Sequence, residues 1–368
     1  MIYLTDYRTA STTQTHMIED ILYPQRVHWF ADTYAKKDTG LVYPPHKLAE
    51  RVLDKALMAD LKNRGGKTAF ILAGGNQHFA GINPKDSEPN SLSYDYKMLP
   101  LTLTQVYAGR VAQACGAEDM VITDASACAS SLKVMMNVHE LFALYHFDRV
   151  IVLAVENAVS NPVLKFFGES KAVLTKEQEE QGVLPSAFDP INFGFNIGQG
   201  AVLAVFENEK YAKNPHARLL GAYSASEKST NAIGQREDGE GFIKATHGAM
   251  SISKISPRQI DIVKTHGTGT KSNNIAERNA LKTLFDHRFV ATSYKQWIGH
   301  TMGASGLLET CLLLDNIKDR LITPIKNKTQ RDSVFISDPL HVSEPQKILS
   351  LAAGMGNIYS AAIFDTQL

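Results

Sequence analysis

Cys128 stands among small residues, Asp124-Ala125-Ser126-Ala127-Cys128-Ala129-Ser130-Ser131-Leu132, between the apolar run Met120-Val121-Ile122 and a long helix-like segment. A strand that runs through small residues into a helix is how a chain delivers a nucleophile to a helix start. Backbone N–H groups there favour the thiolate, so a lowered thiol pKa and nucleophilic chemistry are expected of this cysteine. Read alone, Cys128 is equally an inert core cysteine. Two further stretches set a histidine beside glycine: Thr265-His266-Gly267-Thr268-Gly269-Thr270, and Lys295-Gln296-Trp297-Ile298-Gly299-His300-Thr301-Met302-Gly303-Ala304-Ser305-Gly306. Glycine lets the backbone turn tightly and leaves the imidazole open to a substrate. Each histidine alone also reads as a hydrogen-bonded loop residue.

The elements that would hold these residues alternate. Ile2 to Tyr7, Thr68 to Ala73, Met120 to Ile122, Val150 to Val155 and Ala201 to Phe206 read as strands in the first part of the chain. Leu219 to Tyr223, Ile260 to Lys264, Ile348 to Ala352 and Ser360 to Phe364 read as strands in the second. Helical spacing covers Leu48 to the Gly65-Gly66 break, Leu101 to Ala114, Ala129 to about His146, Gly239 to Ser251, Ile275 to Phe285 and Gly303 to Leu314. The helix after Cys128 is apolar on nearly every side, so it is expected to be central. Its methionines read as core filler, and His139 as a core or edge histidine. The stretch to about Pro45 is irregular, a polar loop runs through Pro89, and Asn161 to Pro185 is expected to be a long excursion from the core, its charged run Lys176 to Glu180 facing solvent. Strands alternating with helices throughout imply an α/β layered fold.

Composition narrows the classes. Thirty-eight basic and 38 acidic side chains cancel, so overall charge gives no argument for nucleic acid or an anionic membrane. An apolar fraction of 44% in 368 residues supports a substantial core. Cys115, Cys128 and Cys311 form neither a disulfide framework nor a metal-binding pair, which suits a reducing compartment. The first residues lack the pattern of a signal peptide and no run is long and apolar enough to span a bilayer, so a cytoplasmic protein is expected. Gly65-Gly66-Lys67-Thr68 is not a P-loop, because Leu61 stands where that motif needs glycine. Gly194, Gly198 and Gly200 do not have the G-x-G-x-x-G spacing of a dinucleotide site.

Together the motifs resemble the β-ketoacyl synthases, the condensing enzymes of fatty acid and polyketide assembly, of the KAS I/II kind. Ser126 to Leu132 resembles the family's T-A-C-S-S-S-L-like string, H-G-T-G-T stands unchanged from His266, and Lys295 to Gly306 matches K-x-x-I-G-H-T-x-G-A-x-G. Phe188-Asp189 and Gly194 to Gly200 are similar to the P-F-D…D-G-F-x-x-G-E-G segment, and Glu277 falls eleven residues after His266, where the family carries a buried glutamate. The resemblance runs in order from about residue 48 to the C-terminus. It implies a thiolase-like fold, a five-layered α-β-α-β-α core of two similar halves, here taken as 1–206 with the nucleophile and 207–368 with the histidines. The duplication itself is not legible in the sequence.

The resemblance also implies roles. Cys128 would carry the acyl group, neutral His266 and His300 would stabilise the enolate left by decarboxylation of a malonyl thioester, and Lys295 would pair with Glu277. The oxyanion hole would use the backbone N–H groups of Cys128 and of Met355, in Ala353-Gly354-Met355-Gly356-Asn357, where the family has G-F-G-G. Met355 thus takes the place of a gating phenylalanine, and Gln199 that of the glutamate in G-E-G. With a start shorter than is usual in the family, these departures point to a divergent synthase of a specialised pathway. No metal and no cofactor are implied, since an acyl carrier protein delivers the substrates; a homodimer or a heterodimer with a related subunit is expected. The alternatives are a chain-length-factor-like partner that condenses nothing, a thiolase, a Cys-His-Asn starter synthase, and a thiolase-fold acyltransferase. The retained Cys128 argues against the first, the setting of Cys311 in an apolar helix against the second, and His300 in place of asparagine against the third.

Overall fold

The computed structural model describes residues 1–18, 25–28, 30, 48–74, 103–159, 161–228, 233–287, 289–323, 325, 339–342 and 345–368. The first part of the chain supplies β1 (Ile2–Ala10), β2 (Thr15–Ile18), β3 (Gln25–His28), α1 (Lys55–Asn63), β4 (Thr68–Ala73), α2 (Thr104–Ala114), β5 (Met120–Asp124), α3 (Ser130–Tyr145) and β6 (Arg149–Asn157). There follow α4 (Asn161–Glu169), α5 (Lys176–Glu180), β7 (Ile197–Asn208), β8 (Ala217–Ser226), α6 (Glu240–Ser253), β9 (Ile262–Lys264), α7 (Lys271–Leu284) and β10 (Val290–Thr292). The chain closes with α8 (Lys295–Ile298), α9 (Ser305–Lys318), the short strands β11 (Leu321–Ile322) and β12 (Leu340–His341), β13 (Lys347–Gly354) and β14 (Ile358–Asp365).

The strand order is β10-β9-β13-β14-β8-β1-β7-β6-β4-β5, and it contains one pattern twice. Numbered within its own half, each set of five strands runs 3-2-4-5-1, with the fifth antiparallel to both its neighbours. The halves meet where β1 and β8 pair at Tyr3↔Arg218 and Leu4↔Ala217. The repeat reaches into local geometry. In the first half a non-glycine residue at positive φ, Ala127 (φ 48), opens a 3₁₀ turn over Ala127–Ala129 that runs into α3 at Ser130. In the second, Met302 (φ 42) opens a 3₁₀ turn over Met302–Ala304 that runs into α9 at Ser305.

Because successive strand residues face opposite sides, each half, a sheet in its own right joined to the other through β1 and β8, serves two layers. In β4, β6 and β7, Ala69, Ile71, Val150, Val152, Val202 and Ala204 join the central cluster with α3 and α9, whereas Phe70, Leu72, Ile151, Leu153, Leu203 and Val205 pack against α1 and α2. In β13 and β14, Ile348, Ala352, Ala362 and Phe364 join the central cluster, and Leu349, Leu351, Ala361 and Ile363 pack against α6 and α7. The result is five layers with α3 and α9 between the two sheets, which is why both helices are apolar nearly all round. Each valine, leucine, isoleucine or phenylalanine side chain fully buried there contributes roughly 1.5–3 kcal/mol.

Three expectations need revision. The helix read from Leu48 is interrupted, because the Asp54 carboxylate accepts from the N–H groups of Ala56 (2.7 Å) and Leu57 (3.1 Å) and starts a new helix there. The 161–185 excursion is not merely peripheral: Val163, Leu164, Phe167 and Val173 are buried in the cluster that contains Cys128. Its charged run is not wholly solvated either, since Glu179 accepts from Arg26 Nε at 2.8 Å. The irregular stretch to Pro45 and the loop through Pro89 lie largely outside the described residues. No helix among the described residues is long and apolar enough to cross a membrane.

Candidate active site

β5 carries the chain toward Cys128, and a short elbow presents it. Ser126 N–H donates to Asp124 Oδ1 (3.1 Å), Ala129 N–H to Ser126 O (3.1 Å) and Ser130 Oγ to Ala127 O (2.6 Å), so the left-handed turn at Ala127 is held on both sides. Cys128 is buried, on the 3₁₀ turn just before α3. Its sulfur lies 3.9 Å from Met302 Sδ, within a cluster that also holds Val163, Phe167, Phe195 and Ile197. The lowered pKa expected from the helix start does not hold: burial pushes the Cys128 thiol up to about 12, against the opposing charge of Lys295. The sulfur is therefore a thiol at rest.

His266 and His300 sit across from it, their ring centroids 5.7 Å apart and their planes nearly perpendicular. His266 follows β9 and is fixed through its main chain. Its N–H and that of Gly267 donate to Glu277 Oε1 (2.6 Å) and Oε2 (2.9 Å), and Asn273 Nδ2 donates to Glu277 Oε2 (2.9 Å). His300 is gripped by the start of β7 and the residue before it: its N–H donates to Asn196 O (2.7 Å), and Gly198 N–H donates to His300 O (3.0 Å). Gly198 is needed for this approach, since a Cβ there would stand 2.3 Å from Ile298 O. His300 Nδ1 is 2.9 Å from Ser305 Oγ, and Phe195 meets the ring edge-on at 5.0 Å. Burial, reinforced by Lys295, holds both imidazoles well below their ordinary pKa. Both are neutral at pH 7.

Lys295 is buried behind the histidines, and its partner is not the expected one. Lys295 Nζ donates to Glu309 Oε1 at 2.7 Å, while Glu277 caps the His266–Gly267 main chain. The correction has a geometric cause. Glu277 lies on α7, which starts just after the His266 loop and turns its carboxylate back onto that loop, whereas Glu309 lies on α9, between the sheets. The sequence carried a signal for Glu309: it is a carboxylate amid Leu307, Leu308, Cys311 and Leu312, and a charge in such a run needs a buried partner. Lys264, the last residue of β9, was missed as well; it is fully buried and reaches the same glutamate.

Cys128, His266 and His300 all line one cavity of about 330 Å³, together with Phe167, Phe195, Thr268, Met355 and Tyr359. Met355 lies in the three-residue turn between β13 and β14, and this turn reaches the elbow because Gly354 has no Cβ; one there would stand 2.7 Å from Ser126 O. Gln199 is buried on β7, donating to Asn157 Oδ1 (3.0 Å) and accepting from Phe30 N–H (3.0 Å), a neutral arrangement that a glutamate would not reproduce.

Comparison with known proteins agrees with this geometry. Residues 46–212 match the family model of the β-ketoacyl synthase N-terminal domain, and residues 216–329 that of its C-terminal domain. The chain is 28% identical over 280 residues to oxytetracycline polyketide β-ketoacyl synthase 1 of Streptomyces rimosus, covering 73% of this chain and 64% of the relative. It is 28% identical over 242 residues to 3-oxoacyl-[acyl-carrier-protein] synthase 2 of Mycobacterium tuberculosis, covering 63% and 58%. The match thus spans about three fifths of these relatives' length. Among solved structures, a chain from the complex of a type II polyketide acyl carrier protein with its ketosynthase superposes with a TM-score of 0.81 at 18% identity, covering 99% of this chain and 98% of that one. A Streptomyces albus oxazolomycin ketosynthase domain superposes with a TM-score of 0.80 at 12% identity, covering 100% and 74%. The fold is therefore thiolase-like, and the chain belongs to the β-ketoacyl synthase family.

Proposed function

We propose that the protein condenses an acyl group held on Cys128 with a malonyl thioester, both delivered on an acyl carrier protein, with loss of carbon dioxide. The observation that carries this reading is the convergence of Cys128 and two neutral histidines on one cavity, with apolar side chains around the sulfur. In the first step the Cys128 sulfur forms a bond to the acyl carbon as the carrier's C–S bond breaks, and the thiol proton leaves with the carrier thiol. The malonyl thioester then loses carbon dioxide, and the electron pair of the broken C–C bond forms an enolate. Neutral His266 and His300 donate N–H groups to its oxygen; for His300 to do so from Nε2, Ser305 Oγ must donate to His300 Nδ1, from which it lies 2.9 Å. The enolate carbon attacks the acyl carbonyl, the C–S bond to Cys128 breaks, and the departing thiolate takes a proton from solvent. The Cys128 and Met355 backbone N–H groups serve the tetrahedral oxyanion. Lys295 acts through Glu309 and through its charge.

This reading includes a dimer with an identical or related subunit, a cytoplasmic setting and no cofactor. The test is mass spectrometry after incubation with a panel of acyl and malonyl carrier-protein substrates. The acyl mass should appear on Cys128 and a β-ketoacyl product should follow, with His300→Ala impairing decarboxylation more than loading. No adduct across the panel would overturn the reading.

A further inference from the structure

Glu309 holds two ammonium groups, one on each oxygen. Lys295 Nζ donates to Oε1 at 2.7 Å, and Lys264 Nζ lies 3.4 Å from Oε2 while donating to Leu351 O at 2.9 Å. None of these three side chains is more than 2% exposed. Lys264 sits two residues before His266, and Leu351 three residues before Gly354, so one side chain ties the histidine strand, the turn strand and the Lys295–Glu309 pair together. Two buried cations on one carboxylate is a costly arrangement, because the second is not fully compensated. A methionine of similar volume would remove that cost, so the charge at this position calls for a functional account.

We infer that Lys264 is a positioning residue of the condensing site: it fixes the second oxygen of the glutamate that Lys295 binds, and its ammonium adds positive potential behind His266 and His300. This rests on the function proposed above for its catalytic consequence, but its electrostatic part does not. The charged and titratable groups facing Lys264 are Glu309 on α9, Lys295 on α8, Glu277 on α7, and the two histidines. Burial and Lys295 push the Lys264 ammonium down to about 8, so its charge is lost just above neutral pH. Its positive charge in turn helps to hold His266 and His300 in the neutral form.

Two readouts separate this inference from the proposed reaction. The first, free of any substrate, is NMR of ring-labelled histidine in the intact protein. The His266 and His300 signals should shift with an inflection near pH 8 that is absent in Lys264→Met, and both rings should titrate at higher pH in that variant than in the wild type. The second is malonyl decarboxylation against pH. The wild-type rate should fall on the alkaline side through pH 8, and Lys264→Met should lack that limb, with a rate at pH 7 lower on the order of tenfold. Lys264→Arg should restore the rate at pH 7 and hold it to higher pH. A protein that decarboxylates nothing yet shows the histidine inflection refutes the reaction and keeps the inference. Wild-type histidine signals without an inflection between pH 7 and 9 overturn the inference, and that measurement needs no variant to fold.

Discussion

In the proposed reaction the state of Cys128 decides how the first step begins, and two opposing effects bear on it. A helix N-terminus stabilises an anion by about 0.3–1 kcal/mol, and by about 2 kcal/mol in a favourable partly buried geometry. Burial here, net of the opposing Lys295 charge, raises the thiol from its ordinary 9.0 to about 12, a preference for the neutral form on the order of 4 kcal/mol. Burial wins. At pH 7.5 the thiolate is then a fraction of roughly 1 in 30,000, against roughly 1 in 30 for an ordinary thiol, a difference on the order of a thousandfold. The assay is native alkylation of Cys128 with iodoacetamide, read by mass spectrometry from about pH 6.5 to 9.5. The rate should rise tenfold per pH unit without levelling off. Lys295→Met should slow it at every pH, because the lysine charge is what opposes burial. A plateau below pH 9 would refute the reasoning, for it would mean that the helix start and Lys295 together outweigh desolvation.

Glu309→Gln leaves the Lys264 and Lys295 ammonium groups buried without their shared anion, and should cost about 3–5 kcal/mol in urea unfolding; a loss under about 1 kcal/mol would show that the carboxylate is not what compensates them. In Gly198→Ala the new Cβ would stand 2.3 Å from Ile298 O, forcing β7 off the His300 loop. Destabilisation of about 1–3 kcal/mol and at least a tenfold loss of condensation are expected, and wild-type behaviour in both assays would show that the contact does not position His300. Met355→Phe replaces a flexible chain in the turn beside the cavity with a rigid ring; the product chain-length profile should change, and an identical profile would remove Met355 from the gate.

Much of this was legible without coordinates, wherever the signal was local. The strand at Thr68 to Ala73 appears with those bounds, and α3, α6 and α7 appear within a few residues of their expected limits, because periodicity and capping act over one or two turns. Cys128, His266 and His300 were visible for a similar reason, since each lies beside the small residues or glycines that a tight turn requires, whereas Lys295 stood out only through the resemblance of its motif. The interruption at Asp54 was missed because the apolar spacing continues across it, and only the side chain's turn onto Ala56 and Leu57 ends the first segment.

The sequence by itself determined the alternation of elements, the central place of the apolar helix after Cys128 and the residue types of the site. The tertiary structure alone decided three things. It revealed the repeat, since a shared 3-2-4-5-1 order and matching elbows at Ala127 and Met302 are written in strand pairing and backbone geometry, not in residue identity. It assigned Glu309 rather than Glu277 to Lys295, because ion pairing depends on which helix is stacked between the sheets and not on separation along the chain. And it set Cys128 as a thiol, because the cost of ionising a sulfur depends on the depth of protein around it, a property of the packed molecule that no local motif encodes.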